Sequence, residues 1–148
     1  MIIEQSEQII REVSNAFTGK DEIIRKVLMT IYAGGHILLE DCPGVGKTTL
    51  ALAFSKALGL DYQRVQFTPD TLPSDITGFS MLNRLTNQFE YREGAAACNL
   101  LLADEINRTS PKTQSALLEA MEEHRVTVDG LTHRLPDPFI CIATQNPL

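Results

Sequence analysis

A loop that holds two glycines followed by a lysine and two threonines lies between residues 41 and 49. Glycines at positions 44 and 46 let backbone N–H groups turn inward around phosphate oxygens, and a following helix would present its positive N-terminal end to the same anion. Lys47 would contact the β- and γ-phosphates of a nucleotide, and the Thr48 hydroxyl would ligate Mg²⁺. The sequence therefore predicts a phosphate-binding loop made of Pro43, Gly44, Val45, Gly46, Lys47, Thr48 and Thr49.

This loop departs from the strict G-x-x-x-x-G-K-[ST] pattern at one position, because Asp41 stands where the pattern has glycine. Aspartate tolerates left-handed backbone better than most residues do, so the departure is modest. The alternative is a glycine turn that happens to precede a lysine. The predicted strand before the loop and the predicted helix after it favour phosphate binding.

Two adjacent carboxylates, Asp104 and Glu105, directly follow the apolar run Leu100–Ala103. A continuous apolar run of this length predicts a central strand that is buried on both faces. Asp104 would hold Mg²⁺ through water, and Glu105 would orient and deprotonate an attacking water. The pair alone is a weak signal because many strands end in an acidic helix cap. Together with a phosphate-binding loop it predicts nucleotide hydrolysis.

A polar cluster, Thr144-Gln145-Asn146, follows the last apolar run of the chain. Open α/β sheets bind ligands at the carboxyl ends of their strands, which is where both motifs above also fall. We therefore expect this cluster, and Asn146 in particular, to contact the γ-phosphate or its water. The alternative is a simple turn before Pro147.

Helix and strand patterns alternate along the chain and would position these groups. Helices are predicted over 2–16, from 21 to the glycine pair at 34 and 35, over about 47–58, and from Ser110-Pro111 onward. Strands are predicted at 37–39, 62–67, 100–103 and 139–144. The alternation predicts an α/β fold with a mainly parallel sheet.

Two β-hairpins are expected in addition to this sheet. One pairs residues 79–84 with 89–92, and the other surrounds Asp129-Gly130, a dipeptide typical of tight hairpin turns. Residues 68–78 contain two prolines and a terminal glycine, and we expect them to form a loop.

Length and composition narrow the class of protein. The chain has 148 residues, 43% of them hydrophobic and 22% charged, which is typical of one soluble globular domain and excludes disordered or fibrous classes. Its 19 acidic and 13 basic residues give a net charge of −6, which argues against nucleic acid as the main partner. No apolar run is long enough to span a membrane and no secretory signal is visible, so we expect a cytoplasmic protein. Its three cysteines lack metal-type spacing and are expected to be reduced.

These motifs together resemble those of AAA+ ATPases, in which they are the Walker A motif, the Walker B motif and the first sensor. Three segments, 66–78, 104–114 and 143–147, look like those of the MoxR subgroup. The resemblance extends over nearly the whole chain from about Gly19. Relatives usually carry Gly or Asp at the position of Asp41, which softens that departure.

The resemblance implies a ring-forming ATPase, commonly a hexamer, that binds ATP with Mg²⁺ and hydrolyses it between neighbouring subunits. It implies a chaperone-like role in which the protein helps to mature target protein complexes, often with a partner that contains a von Willebrand factor A domain. By position, Gly19 would lie against the adenine, and Arg108 would reach a neighbouring subunit. The two hairpins would face a client or partner protein.

The family pattern continues beyond Asn146 into a further strand, an arginine finger and a small helical lid. We therefore expect residues 1–148 to form most of one AAA+ large subdomain without its lid. Arginine supplied by a neighbouring subunit contributes about 10³–10⁵ in rate in such enzymes, so this chain alone should hydrolyse ATP slowly. Two alternatives stay open, a non-catalytic nucleotide-binding scaffold that presents its hairpins to a partner and a nucleic-acid-linked AAA+ motor.

Overall fold

The computed structural model describes residues 2–16, 21–40 and 46–145. The helices are α1 (Ile2–Ala16), α2 (Asp21–Tyr32), α3 (Lys47–Leu58), α4 (Pro73–Thr77) and α5 (Pro111–Glu123), with one turn of 3-10 helix at Ile106–Arg108. The strands are β1 (Ile37–Glu40), β2 (Tyr62–Gln66), β3 (Gly78–Asn83), β4 (Gln88–Glu93), β5 (Leu100–Asp104), β6 (Arg125–Val128), β7 (Leu131–Arg134) and β8 (Ile140–Gln145).

Four parallel strands form the central sheet in the order β1-β8-β5-β2. The register brings Gln66 opposite Asp104 and Glu40 opposite Gln145, so the carboxyl ends of all four strands meet at one edge. Parallel strands need crossover connections, which the helices between them supply. The predicted α/β fold with a parallel sheet is confirmed.

Side chains of the central strands alternate between two apolar cores, as the two-residue period of a strand requires. Leu100 and Leu102 pack with residues of α1, α2 and α3 on one face. Leu101 and Ala103 pack with α4 and α5 residues on the other face. All four side chains are fully buried, which explains why the sequence of β5 is a continuous apolar run.

Local sequence signals set the ends of the longer helices. Gly59 ends α3 in a left-handed conformation with φ of 66°, which glycine adopts without a steric penalty. Ser110 caps α5, because its hydroxyl accepts a hydrogen bond from the Thr113 N–H at 3.4 Å, and Pro111 occupies the first helical position. Both helices lie where the sequence predicts them.

The prediction of a continuous loop over residues 68–78 is wrong, because residues 73–77 form the short helix α4. Pro73 opens the helix, and the Asp75 carboxylate accepts a hydrogen bond from the Leu72 N–H at 2.8 Å. Ile76 is fully buried in the core beside α5. This burial supplies stability that a five-residue helix lacks on its own.

Both predicted hairpins are confirmed, as β3–β4 and β6–β7. Asp129 and Gly130 carry φ of 50° and 77°, as the tight turn between β6 and β7 requires. The rings of Tyr91 and His133 stack with centroids 3.6 Å apart and join the two hairpins. The Tyr91 hydroxyl also donates a hydrogen bond to the Thr77 carbonyl at the base of β3.

Candidate functional site

The site is built at the carboxyl edge of the central sheet, where β1 ends at Glu40 and α3 begins at Lys47. Gly46 precedes the helix with φ of 101°, a left-handed conformation that favours glycine, and its carbonyl accepts the Leu50 N–H at 2.7 Å. Helix α3 therefore directs its positive N-terminal end to this edge.

Within this part of the site, Lys47 and Thr48 are half-buried and Thr49 is exposed. The strand before the loop and the helix after it are confirmed. The predicted residues Gly19, Pro43, Gly44, Val45 and Asn146, together with Asp41, lie outside the residues that the structure describes.

Asp104 ends the central strand β5 and is held by two side chains from the neighbouring strands. Arg64 of β2 donates a hydrogen bond from Nη2 to Asp104 Oδ2 at 2.8 Å. Thr144 of β8 donates from Oγ1 to Asp104 Oδ1 at 2.5 Å. The carboxylate is therefore fixed in direction by both neighbours in the sheet.

The charge of Asp104 follows from the same contacts. Burial alone would raise the pKa of Asp104, but the hydrogen bonds from Arg64 and Thr144 and the positive charges of Arg64 and Lys47 lower it below its ordinary value. Asp104 is therefore an ionised carboxylate at neutral pH. Because the positive charge of Lys47 helps to lower the pKa of Asp104, the first residue of α3 acts electrostatically on the end of β5.

Glu105 follows in a left-handed conformation, with φ of 57° and ψ of 53°. Its N–H donates to Thr144 Oγ1 at 2.9 Å, and its carboxylate lies 3.2 Å from Arg108 Nη1. A non-glycine residue in this region of backbone space carries strain that surrounding contacts must balance. The chain thus turns sharply after Asp104 and gives the two adjacent carboxylates different surroundings.

The sequence patterns do not indicate one contact of the site, and two further contacts involve residues for which the sequence predicts other roles. Arg64 was not singled out, although it stands two residues before Gln66, whose register partner is Asp104. The Thr144 hydroxyl contacts Asp104 and Glu105, and the expected contact of the cluster Thr144-Gln145-Asn146 with phosphate stays a prediction. Arg108 contacts Glu105 of its own chain, and the contact with a neighbouring subunit that the resemblance implies stays a prediction.

The residues brought together here fit a magnesium–nucleotide complex. Magnesium is usually held by one or two carboxylates together with substrate phosphates rather than by an all-protein cage. Within 2–16, 21–40 and 46–145, no group of three or more His, Cys, Asp or Glu residues is arranged to hold a metal. The ionised Asp104 and the Thr48 hydroxyl at the start of α3 supply donors of the required kind.

The two described cysteines take no part in this site. Cys98 and Cys141 are free and buried, and burial raises the pKa of each thiol to about 12. Thiols of such high pKa are inert at neutral pH because the thiolate is the reactive form. Cys42 lies outside the described residues.

Comparisons with known proteins agree with this fold. The profile of the ATPase family associated with various cellular activities (AAA) matches residues 36–148. The uncharacterised protein YeaC of Bacillus subtilis is 57% identical over 139 residues, which are 94% of this chain and 43% of YeaC. The chaperone MoxR1 of Mycobacterium tuberculosis is 42% identical over 142 residues, which are 96% of this chain and 38% of MoxR1.

A solved structure from Cytophaga hutchinsonii, provisionally named an ATPase, superposes with a TM-score of 0.81 at 41% identity and covers 98% of this chain and 44% of its own. The chain thus spans less than half the length of the relatives that it matches.

None of the helices in the described part of the chain has the length and apolar character to cross a bilayer. The MoxR-type resemblance is confirmed, and the chain belongs to the AAA family of ATPases.

Proposed function

We propose that this chain binds ATP with Mg²⁺ and hydrolyses it, as the nucleotide-binding part of a MoxR-like remodelling ATPase. The observation that carries the proposal is the placement of Lys47, at the start of α3, and Asp104, at the end of the buried strand β5, at the same carboxyl edge of the sheet. A cation for phosphate and a carboxylate for magnesium at one sheet edge are the parts that phosphoryl transfer needs.

Each residue has a distinct task in this proposal. Lys47 neutralises the β- and γ-phosphates, while Thr48 and Asp104 hold the metal, which when bound screens the phosphate charge. Glu105 orients the attacking water and accepts its proton. Pro43, Gly44, Val45, Gly46 and Thr49 would complete the phosphate-binding loop, Gly19 would face the adenine, and Asn146 would contact the γ-phosphate.

Nucleotide affinity of Lys47→Ala tests the binding half of the proposal. Removing the ammonium should weaken the binding of a fluorescent ATP analogue at least tenfold, because a charge-assisted contact to phosphate is lost. Lys56→Ala, in the last turn of the same helix, is the matched control and should bind as the parent does. Equal affinity of Lys47→Ala and the parent would overturn the assignment.

Turnover of Glu105→Gln, measured in the full natural chain, tests the catalytic half. The amide cannot accept a proton, so ATP hydrolysis should fall by about 10²–10⁴-fold while nucleotide affinity is retained. Glu119→Gln on α5 is the control and should hydrolyse ATP at the parent rate. Unchanged turnover in Glu105→Gln would show that Glu105 does not accept the proton of the attacking water. A parent chain that binds ATP without hydrolysing it would support the alternative of a non-catalytic scaffold.

The wider role of the protein rests on similarity to the MoxR group. We propose that the natural protein works in the cytoplasm as a ring, commonly a hexamer, and remodels client proteins together with a von Willebrand factor A domain partner. An ATPase rate per subunit that rises with protein concentration would support a site completed by a neighbour. Stimulation of ATPase activity by DNA would instead favour the nucleic-acid motor, which the net charge of −6 disfavours.

A further inference from the structure

Arg64 lies on the carboxylate to which the proposed function assigns magnesium. Its guanidinium Nη2 donates to Asp104 Oδ2 at 2.8 Å and to Gln66 Oε1 at 3.2 Å. The other oxygen of Asp104 accepts the hydrogen bond from Thr144. Both carboxylate oxygens therefore already have side-chain donors from the flanking strands.

A guanidinium in this position opposes a divalent cation in two ways. It occupies one acceptor position on a carboxylate oxygen that the metal or its bound water could use, and it adds a positive charge next to a doubly positive ion. Thr144 differs because it is neutral. Of the two donors, Arg64 is therefore the one whose charge opposes magnesium binding.

Exposure allows Arg64 to leave. Its side chain is 45% exposed, whereas that of Asp104 is 18% exposed. A half-exposed arginine can transfer its guanidinium to water without repacking the core, and a partly exposed ion pair costs less to break than a buried one. The pair is thus strong enough to orient Asp104 and weak enough to exchange.

We infer that Arg64 is a positioning residue that competes with Mg²⁺ for Asp104 and so sets the magnesium concentration at which nucleotide binds tightly. This inference rests on the proposed function. The ion pair with Arg64 holds Asp104 aligned before the metal binds, at the cost of a higher magnesium requirement.

The test is the magnesium dependence of nucleotide binding by Arg64→Gln in the full natural chain. A fluorescent ADP analogue is titrated over a series of MgCl₂ concentrations and again in EDTA. The magnesium concentration that gives half of the affinity gain should fall about fivefold, the scale expected for losing one partly exposed ion pair. Affinity in EDTA should stay as in the parent, a separation that a purely structural role would not produce.

Arg125→Gln is the matched control, because Arg125 also pairs with a nearby carboxylate, that of Glu123 at 3.4 Å, on an element outside the site. Its magnesium midpoint should equal that of the parent. Arg64→Met keeps the apolar stem of the side chain and replaces Arg64→Gln in the test if that variant does not fold. Its magnesium midpoint should fall by the same factor.

Three results would overturn the inference. Normal binding with an unchanged magnesium midpoint in the Arg64 variant contradicts it while leaving the proposed function intact. Weaker affinity in EDTA would mean that Arg64 contacts phosphate directly rather than competing with the metal. A parent chain that binds no nucleotide with or without magnesium removes the proposed function and this inference with it.

Discussion

The Thr144 hydroxyl joins the two carboxylate residues of the site through one oxygen atom. It donates to Asp104 Oδ1 and accepts from the Glu105 N–H at 2.9 Å, and the residue is 1% exposed. Replacing a buried hydroxyl by a methyl group leaves both partners without their bond, and such losses cost about 1–3 kcal/mol. Thr144→Val, which keeps the shape, should lower the free energy of unfolding by that amount.

Denaturant unfolding checks this prediction, with Thr144→Ser as the control that keeps the hydroxyl. Binding of a fluorescent ADP analogue in the presence of Mg²⁺ should also weaken in Thr144→Val, because Asp104 loses one of the two contacts that orient it. Equal stability of Thr144→Val and the parent would show that the two hydrogen bonds contribute nothing measurable.

At the scale of single residues, the sequence indicated which types do the chemistry but not which contacts direct them. Lys47 follows from a glycine loop directly before a helix, and Asp104 and Glu105 follow from their position at the end of an apolar strand. Arg64 and Thr144 lie 40 residues from Asp104 in opposite directions. Their contacts depend on the strand order β8-β5-β2, which single-sequence patterns do not give.

At the scale of elements, the hairpin β3–β4 depends on a close backbone crossing at its base. A Cβ added at Gly94 would lie 2.4 Å from the Gly78 nitrogen and 2.4 Å from the Ile76 carbonyl oxygen. Backbone atoms cannot move aside as a flexible side chain can. Gly94→Ala should therefore lower the free energy of unfolding by about 2 kcal/mol or more, through displacement of β3 from α4.

Gly34→Ala is the comparison variant, because its φ of 74° is costly for alanine whereas no atom lies within 4 Å of the added Cβ. It should cost only about 1 kcal/mol. Chemical denaturation of the two variants measures the difference. If Gly94→Ala is no less stable than Gly34→Ala, the crossing is looser than its geometry indicates.

The strength of local sequence signals explains why most elements could be predicted and helix α4 could not. Asp129-Gly130 and Ser110-Pro111 are local signals whose effect does not depend on distant residues. Helix α4 has only five residues, and its stability comes from Ile76 buried against α5. A pattern of two prolines and a glycine therefore indicates a loop until the packing partner is known.

At the scale of the whole molecule, His36 ties β1 to β8 and to α5. Its Nδ1 accepts the Cys141 N–H at 3.0 Å, and its Nε2 lies 2.8 Å from the Met121 carbonyl oxygen. These two bonds require the neutral ring with its proton on Nε2. Nothing in the sequence indicated this role, because the partners lie 85 and 105 residues away.

Protonation of His36 should destabilise the fold. Burial, opposed by the Met121 hydrogen bond and aided by the neighbouring His124, lowers the pKa of His36 below 6.5. Below about pH 6.5 the unfolded chain takes up a proton that the folded chain resists, so the unfolded state binds more protons. The free energy of unfolding should therefore fall as the pH decreases from about 6.5 towards the pKa of the folded state. Above about pH 6.5 the contribution of His36 should be constant.

The measurement is the free energy of unfolding from denaturant titrations between about pH 5 and 7.5, a window that stays above the ordinary carboxylate range. His36→Gln should be less stable at neutral pH, because it loses the tie among β1, β8 and α5, but its stability should vary less with pH than that of the parent. His133→Gln, in the hairpin stack, should keep the pH dependence that His36 causes. If His36 causes the acid sensitivity, its removal must flatten the dependence of unfolding free energy on pH. Parallel pH profiles for the parent and His36→Gln would therefore assign the acid sensitivity to other groups.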